Sequence, residues 1–278
     1  MRLESRLLDL SRPQVMAIVN VTNDSFYDGN RFDGYDTIAA RVEQVIEEGA
    51  TIIDIGGYSS RPNAEVVSTE EEWSRVKMGL SVLRKLSVDV AVSIDTFRSE
   101  VAQRAVEEFG ELIINDISAG EADDGMLDVV ARYNLPYVAM HMRGTPQTMQ
   151  SLTDYPEGVV SGVCSYFGQR IEVLRERGVN NLILDPGFGF AKSVEQNYEL
   201  LAALHRLCEL GYPVLVGVSR KSMIYKVLDT TPAEALNGTT ALHWEALRQG
   251  ATILRVHDVK EACETIKLFE QYKKWALH

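Results

Sequence analysis

Eight short apolar runs alternate with longer amphipathic stretches along the whole chain, and this order restricts the possible folds more than any other feature of the sequence. Each run has the length of a β-strand, and most are apolar at consecutive positions. Strands that are apolar on both faces and separated by helices are typical of a parallel sheet covered on both sides. The predicted strands are residues 15–21, 51–57, 90–96, 112–118, 137–142, 182–187, 214–219 and 252–258.

The stretches between these strands have helical patterning. Residues 36–50 carry apolar side chains at helical spacing, residues 194–211 close on Gly211, a plausible helix stop, and residues 259–275 supply a last helix. Eight strand–helix units in 278 residues predict a (β/α)8 barrel, with an open doubly wound sheet as the alternative. No repeat, low-complexity tract or linker divides the sequence, so we expect a single domain over residues 1–278.

The balance of charge limits the partners of the chain. Its 40 acidic and 28 basic residues give a net charge of −12, which argues against nucleic acid or an anionic membrane as a general partner. Three scattered cysteines form no CxxC pair, so we expect neither disulfides nor cysteine metal ligands. The sequence shows no signal peptide and no apolar run of membrane-spanning length, and we expect a cytoplasmic protein.

Polar residues collect where the predicted strands end. Active sites of (β/α)8 barrels lie at the carboxyl ends of the strands, so a barrel requires this arrangement. One such residue alone would be an ordinary structural group, but so many segments with polar residues at the same end predict a functional site. These residues are Asn20, Asp95, Asn115, Asp116, His141, Arg143, Asp185, Ser219, Arg220, Lys221, Arg255 and His257.

Cations near the last two strands indicate an anion site. Arg255 and His257 are two residues apart on one strand and therefore point to the same face. Together with Lys221, Arg220 and Arg61, they bring up to five cationic donors to the end of the barrel where the strands finish. Phosphate sites recur near strands 7 and 8 of such barrels. The pair is predicted to hold a phosphate. The alternative is a structural network in which Arg255 and His257 pair with Asp258 or Asp116.

A second group consists of Asp95, Asn115 and Asp185. Two carboxylates and an amide suit the hydrogen-bonding edge of a flat heterocycle that carries amino and lactam groups. A metal cluster is the alternative, although hard cations usually need more converging oxygens, and the sequence has no His/Cys set with zinc spacing.

Eight segments of the sequence together resemble one known family. They are IVNVTNDSFYDG, DIGGYSSRP, SIDTF, INDIS, MHMRGTPQTMQ, LDPGFGFAK, SRKSMI and LRVHDV. Over essentially its full length, the chain resembles the dihydropteroate synthases. The resemblance implies a (β/α)8 barrel that joins 6-hydroxymethyl-7,8-dihydropterin diphosphate to 4-aminobenzoate and releases pyrophosphate, assisted by Mg²⁺. It also implies a homodimer.

The resemblance assigns roles to individual positions. The implied pterin-binding residues are Asp95, Asn115, Asp185 and Lys221. The implied diphosphate-binding residues are Asn20, Arg61, Arg255 and His257, with Asn20 also near Mg²⁺. The implied aminobenzoate-binding residues are Phe26, Ser60, Arg61, Pro62, Phe190, Lys221 and Ser222. The implied catalytic residues are Asp24, Asp28, Lys221, Arg255 and His257.

The chain departs from the common family pattern in its first two loops. Asn23 stands where proline is usual, Tyr58 and Ser60 stand where Glu and Thr are frequent, and Asn63 replaces a common glycine. These changes bear on aminobenzoate and sulfonamide binding. Two rival functions are a pterin-binding methyltransferase, which has no use for a diphosphate clamp, and a barrel that binds pterin without catalysis. Intact Lys221 and Arg255 argue against the second.

Overall fold

The computed structural model describes residues 2–3, 6–7, 9–21, 31–58, 67–87 and 89–276, with the side chains of 2–3, 6–7 and 31–33 left aside. A short antiparallel hairpin, β1 (Arg2–Leu3) with β2 (Arg6–Leu7), precedes the main sheet. That sheet has eight parallel strands. They are β3 (Gln14–Asn20), β4 (Ile52–Gly56), β5 (Ala91–Asp95), β6 (Ile113–Asp116), β7 (Tyr137–Met140), β8 (Leu182–Asp185), β9 (Leu215–Val216) and β10 (Ile253–Val256).

The strands form a nearly closed barrel. Consecutive strands from β3 to β8 pair in chain order, and β10 lies between β3 and β9. A single parallel bridge between Leu184 and Val214 joins β8 to the segment before β9, so the two ends of the sheet meet. The predicted (β/α)8 barrel is thereby confirmed, and the open doubly wound sheet is excluded.

Helices surround the strands. They are α1 (Arg31–Glu47), α2 (Thr69–Leu86), α3 (Ser99–Phe109), α4 (Met126–Arg132), α5 (Val159–Glu176), α6 (Val194–Ala202), α7 (His205–Cys208), α8 (Ser222–Tyr225), α9 (Leu236–Arg248) and α10 (Val259–Ala276), with 3-10 turns at Met149–Ser151 and Pro232–Glu234. The barrel strands pack their outward side chains against these helices in one large apolar cluster. None of the described helices is long and apolar enough to cross a lipid bilayer.

Two sequence-based boundaries were wrong. The helix predicted over residues 194–211 is two helices, because Arg206 and Leu207 donate to carbonyls three residues back at Ala203 and Leu204, which tightens the chain there. The strand predicted over residues 214–219 is shorter: it consists of Leu215–Val216 with one bridge at Val214, because a turn follows in which the Lys221 amide donates to the Val218 carbonyl.

Inside the barrel, each strand contributes one apolar side chain to a single ring. Every member is almost fully buried, and Leu10 packs against the ring. This filled layer is a core in the manner expected of small barrels. The ring residues are Met16, Ile52, Ala91, Ile113, Val138, Ile183, Leu215 and Ile253.

Candidate active site

A polar layer lies one pleat above the apolar ring. Side chains two residues apart on a strand share a face, so the residues that follow the ring members by two also point into the barrel. At this level four of the strands carry charged or amide side chains in place of apolar ones. These residues are Asp54, Asn115, Asp185 and Arg255. The carboxyl ends of the strands therefore line a polar pocket whose floor is apolar.

Arg255 links two carboxylates across this pocket. Its Nε donates to Oδ2 of Asp54 at 2.7 Å, and its Nη2 donates to Oδ2 of Asp95 at 2.6 Å. The side-chain amide of Asn115 donates to the same Asp54 oxygen at 3.0 Å. Two of the five N–H donors of the guanidinium are thus engaged, and within the described residues Nη1 makes no hydrogen bond. Arg255 keeps donor capacity for a ligand while it orients Asp95.

The pKa values of the pocket residues reflect burial opposed by neighbouring charge. Burial raises the pKa of Asp95 to about 7, against the attraction of Arg255 and with a further upward contribution from Asp54. Burial also raises the pKa of Asp185, opposed chiefly by Lys221. The pKa of Lys221 falls to about 8, because burial outweighs the attraction of Asp185. Asp95 and Lys221 can therefore exchange protons with a ligand near neutral pH.

Lys221 joins the pocket to an aromatic wall. Its Nζ donates to the carbonyl of Phe188 at 2.5 Å and lies 5.0 Å from the ring centre of Phe190. Asp185 accepts a hydrogen bond at 2.8 Å from the amide of Gly187, at the start of the same turn. Phe190 is half-buried, so its ring is available to a ligand. A flat molecule could lie against this ring with its other end toward Asp185.

The alternative considered for the last strand, a structural network with Asp258 or Asp116, does not hold for Arg255. Asp258 is bound by Arg220, whose Nε and Nη2 each donate to one carboxylate oxygen at 2.9 and 2.8 Å. Asp116 accepts from Tyr137 and from Ser118, so it is engaged too. Arg255 pairs instead with Asp54 and Asp95, as described above.

Arg220 and Arg143 do not contribute cations to the mouth of the pocket. Arg220 is held by Asp258 and by the Pro232 carbonyl. Arg143 lies 4.5 Å from the ring centre of Tyr155 and donates to the carbonyl of Asp154. The predicted set of five donors therefore loses Arg220, which its ion pair with Asp258 holds away from a ligand.

The remaining predicted residues are placed as follows. Asn20 ends β3 with an exposed side chain, whose Oδ1 lies 3.3 Å from the position that a Cβ on Gly56 would take. The backbone amide of His257 donates to Ser219 Oγ at 3.2 Å, just beyond β10, and Ser222 begins α8 beside Lys221. The predictions that fall outside the described residues concern Asn23, Asp24, Phe26, Asp28, Ser60, Arg61, Pro62 and Asn63.

Asp54 was missed as a site residue by the sequence reasoning. It is fully buried, its Oδ2 accepts from both Arg255 and Asn115, and its Oδ1 has no hydrogen-bond partner within the described residues. The signal was available: Asp54 follows Ile52 by two residues in an otherwise apolar strand, so it had to face the barrel interior. A buried carboxylate oxygen without a partner is costly unless a ligand or water satisfies it.

Glu72 and Arg98 were missed as well, and together with Arg75 they hold the chain on both sides of residues 59–66. Buried Glu72 binds Arg98 Nη1 at 2.6 Å and the Thr96 hydroxyl at 2.5 Å. Arg98 Nη2 donates to the Val67 carbonyl at 2.7 Å, and Arg75 Nη1 donates to the Gly57 carbonyl at 3.2 Å. This network also fixes the residue that follows Asp95. No short-range sequence signal marks it, since its members are far apart in the chain.

A third missed residue is Lys192, a buried amine beside the pocket. Its Nζ lies 3.0 Å from Nδ1 of His141 and donates to the carbonyls of Gly187 and Phe190 at 3.0 and 2.9 Å. Burial lowers the pKa of Lys192 to about 7, against the attraction of Asp185, while Lys221 and Arg143 lower it further. Burial also lowers the pKa of His141 to about 2, so this imidazole is neutral.

The buried amine predicts a pH-dependent stability. Between a folded pKa of about 7 and the ordinary value of 10.5, the unfolded chain binds the proton that the folded chain releases. The free energy of unfolding contributed by Lys192 should therefore rise with pH above 7 and be lost as the pH falls toward 7. Urea unfolding at pH 7, 8 and 9 should show that the free energy of unfolding of the wild type increases with pH relative to that of Lys192→Met. If the free energies of unfolding of the wild type and of Lys192→Met changed with pH in parallel, the lowered pKa of Lys192 would be contradicted. The control is Lys260→Met, a change of an exposed lysine, which should follow the wild type at every pH.

A barrel with a polar, carboxylate-lined pocket and one aromatic wall defines a class of enzyme that binds a flat nitrogen heterocycle. Residues 16–257 match the model of a family described as pterin binding enzyme. The dihydropteroate synthase of Synechocystis sp. is 44% identical over 260 residues, which are 92% of this chain and 89% of the relative.

Solved structures agree with this relationship. The Yersinia pestis dihydropteroate synthase in a sulfonamide drug complex has a TM-score of 0.90 at 39% identity, covering 99% of this chain and 98% of that one. The Xanthomonas albilineans dihydropteroate synthase with 4-aminobenzoic acid has a TM-score of 0.86 at 40% identity, covering 95% of this chain and 94% of that one. The chain belongs to the dihydropteroate synthase family.

Proposed function

We propose that the chain is a dihydropteroate synthase that condenses 6-hydroxymethyl-7,8-dihydropterin diphosphate with 4-aminobenzoate, giving 7,8-dihydropteroate and pyrophosphate. The observation that carries the proposal is the convergence of Asp95, Asn115, Asp185, Lys221 and Arg255 on one polar pocket of a barrel of this family. The activity places the chain among the transferases of folate biosynthesis, and we propose that it acts in the cytoplasm.

The pterin is proposed to lie deepest. Its amino and lactam groups offer N–H donors, for which Asp95 and Asp185 supply acceptors, and Asn115 and Lys221 supply donors for its ring nitrogen and oxygen atoms. Asp95 is held toward the pocket by Arg255, and Asp185 by the Gly187 amide. Asp54 would keep Asn115 and Arg255 in place from beneath. This arrangement would recognise the edge of the pterin ring by directional hydrogen bonds rather than by charge alone.

The diphosphate is proposed to lie at the mouth, where Arg255, His257, Asn20 and Arg61 would hold it. Breaking the C–O bond leaves positive charge on the pterin methylene and negative charge on the diphosphate. A cationic donor such as Arg255 stabilises the leaving group as this charge develops. The electron-rich pterin bears the cation, so the reaction is proposed to follow an SN1-like course. The aniline nitrogen of 4-aminobenzoate attacks the methylene with its free lone pair, so no general base has to activate it, and the nitrogen then releases one proton to the departing pyrophosphate or to water.

The aminobenzoate is proposed to lie between the pterin and the surface, with Phe190, Lys221 and Ser222 as its described contacts. Phe190 offers a half-buried ring and Lys221 an amine 5.0 Å from the centre of that ring. The further roles of Phe26, Ser60, Arg61 and Pro62 in this subsite, and of Asp24 and Asp28 near the cation, remain proposals from the family resemblance.

Magnesium is proposed to arrive bound to the diphosphate of the substrate, because the described residues offer no metal site of their own. They contain no group of three or more His, Cys, Asp or Glu side chains that could hold a metal. Mg²⁺ usually keeps several waters and binds through few protein oxygens together with substrate phosphates. The exposed amide of Asn20 at the end of β3 suits that arrangement. When bound, the ion would neutralise charge on the diphosphate.

This magnesium proposal predicts a linked binding equilibrium. Pyrophosphate should bind the protein in calorimetry with Mg²⁺ and lose most of its affinity in EDTA. Asn20→Ala should weaken pyrophosphate binding by about 1 kcal/mol, the usual size of one polar contact. Equal pyrophosphate affinity with and without Mg²⁺ would argue against the ion.

A homodimer is also proposed. Leu268, Tyr272 and Trp275 lie at helical spacing on α10 and are 67%, 52% and 73% exposed, beside Trp244 of α9, whose ring lies 5.5 Å from that of Tyr272. Light scattering should give twice the mass of the chain, and Trp275→Arg should shift the protein toward the monomer.

The deciding experiment is a coupled assay of purified protein with the pterin diphosphate, 4-aminobenzoate and Mg²⁺, with dihydropteroate as the detected product. Product formation supports the synthase. Pterin binding without product would instead support a silent pterin-binding barrel.

A further inference from the structure

The turn that follows β8 is built around the buried amino group of Lys192. This side chain is only 5% exposed, yet its Nζ contacts the carbonyl oxygens of Gly187 and Phe190 and the Nδ1 of His141. The two carbonyls lie three residues apart and belong to the same turn. One amine therefore connects both ends of the segment that carries Phe190.

The backbone of this turn needs such support. Gly187, Gly189 and Ala191 all have positive φ, at 69°, 82° and 50°, and an alanine rarely adopts the left-handed region. Other side chains engage the remaining polar atoms: Asn197 accepts from the Gly189 amide at 2.7 Å, and the Tyr155 hydroxyl donates to the Ala191 carbonyl at 3.1 Å. The shape of the turn is thus imposed by side chains around it rather than by local preference.

The turn also has little freedom to move toward the barrel. A Cβ on Gly187 would stand 2.1 Å from the carbonyl oxygen of His141, so the backbone rests directly on the end of the neighbouring strand. On the far side, Ser193 begins α6 with a capping box to Gln196. Between these fixed points, the carbonyls alternate in partner: those of residues 187 and 190 face Lys192, and that of Phe188 faces Lys221.

Lys192 satisfies this cluster in either protonation state. As an ammonium it has three donors for two carbonyls and the His141 Nδ1. As a neutral amine it keeps two donors for the carbonyls, and its lone pair can accept from the other tautomer of the neutral imidazole. The connection between the two ends of the turn therefore survives the loss of the proton.

We infer that Lys192 is a positioning residue for the aminobenzoate subsite: by joining the Gly187 and Phe190 carbonyls to His141, it sets the ring of Phe190 beside Lys221. The inference rests on the proposed function in taking Phe190 as a wall of that subsite. In the described residues, the hydrogen bonds of Lys192 go to this turn and to His141, and its charge reaches the pocket only through space, at Asp185 and Lys221. Its removal should therefore affect one substrate more than the other.

The test compares Lys192→Met, which keeps the length of the side chain and removes its donors, with the wild type. The KM for 4-aminobenzoate should rise roughly ten- to a hundredfold, the size expected when a contact residue is displaced by about 1 Å. The affinity for a pterin without the diphosphate, measured by calorimetry, should change less than about threefold. The turn meets the proposed pterin group only through the Gly187 amide on Asp185 and the Phe188 carbonyl on Lys221 among the described residues, and Lys192 bonds to neither of these two atoms.

Two further variants sharpen the result. Tyr155→Phe removes only the hydroxyl that donates to Ala191, and it should raise the same KM by about fivefold, the equivalent of one hydrogen bond. Lys260→Met, on the exposed face of α10, should change neither the KM for 4-aminobenzoate nor the affinity for the pterin. Circular dichroism on each variant shows whether the fold is intact. If Lys192→Met does not fold, Tyr155→Phe tests the same turn from its other end, and an unchanged KM there would overturn the role of the turn in positioning Phe190.

Calorimetric titration of 4-aminobenzoate in the presence of pyrophosphate and Mg²⁺ is run in parallel with the kinetics. A wild type that binds 4-aminobenzoate without turnover would refute the proposed function alone, while the affinities of the variants would still decide on Lys192. An unchanged 4-aminobenzoate affinity in folded Lys192→Met, or an equal loss of pterin affinity, would overturn the inference.

Discussion

Arg255→Ala should lower turnover by about two to three orders of magnitude and the free energy of unfolding by about 3–5 kcal/mol. The kinetic loss is expected because a cationic donor beside the leaving diphosphate is removed. The loss of stability is expected because Arg255 binds Asp54 and Asp95, and its removal leaves two carboxylates close together without their shared cation. Steady-state kinetics, urea unfolding and pyrophosphate titration on one preparation measure the three quantities.

The double variant Arg255→Ala with Asp54→Asn separates the two effects. Neutralising Asp54 removes the buried charge that the single variant leaves unpaired, so stability should recover in part. Turnover should not recover, because the donor for the diphosphate is still absent. Wild-type pyrophosphate affinity in Arg255→Ala would contradict the proposed diphosphate contact and leave Arg255 as a structural residue.

Asp185→Asn should keep the fold and weaken pterin binding by about 2–4 kcal/mol, or roughly thirty- to a thousandfold. The carboxylate is 7% exposed and faces Lys221, and its Oδ1 accepts the Gly187 amide. An amide in its place presents a donor where the pterin edge also presents donors. Calorimetry with a pterin lacking the diphosphate measures the loss directly.

The control for Asp185→Asn is Asp124→Asn, an exposed carboxylate in the loop before α4. It makes the same chemical change far from the pocket and should bind pterin as the wild type does. If Asp185→Asn also bound pterin with wild-type affinity, Asp185 would have to be removed from the proposed site.

Much of the barrel could be predicted from the sequence because its strands are buried on both faces. The run predicted over residues 15–21 is a strand at Gln14–Asn20, and most other strands lie within one or two residues of their predicted bounds. The polar ends of these strands could be located for the same reason, since charged residues interrupt apolar runs at one consistent end. Period two then places Arg255 and Asp185 inside the barrel.

The pairing of those polar residues could not be predicted from the sequence. The alternative to a phosphate contact was that Arg255 pairs with Asp258 or Asp116, its neighbours along the chain or at a strand end. It meets Asp54 and Asp95 because the barrel closes β10 onto β3 and so brings the first and last strands together. Lys192 was overlooked for a related reason: its three partners are backbone carbonyls and a histidine, which have no signature in the sequence.

The apolar ring inside the barrel has a consequence for the traffic of molecules through the enzyme. Eight side chains, one from each strand, fill the cross-section below the polar layer, so within the described residues the pocket has a floor and opens where the strands end. A pocket with one opening is filled in a fixed order when one ligand lies beneath another. With the pterin deepest, as proposed, it must enter before the aminobenzoate that lies above it. After the reaction the pyrophosphate and the joined product leave by the route through which both substrates came.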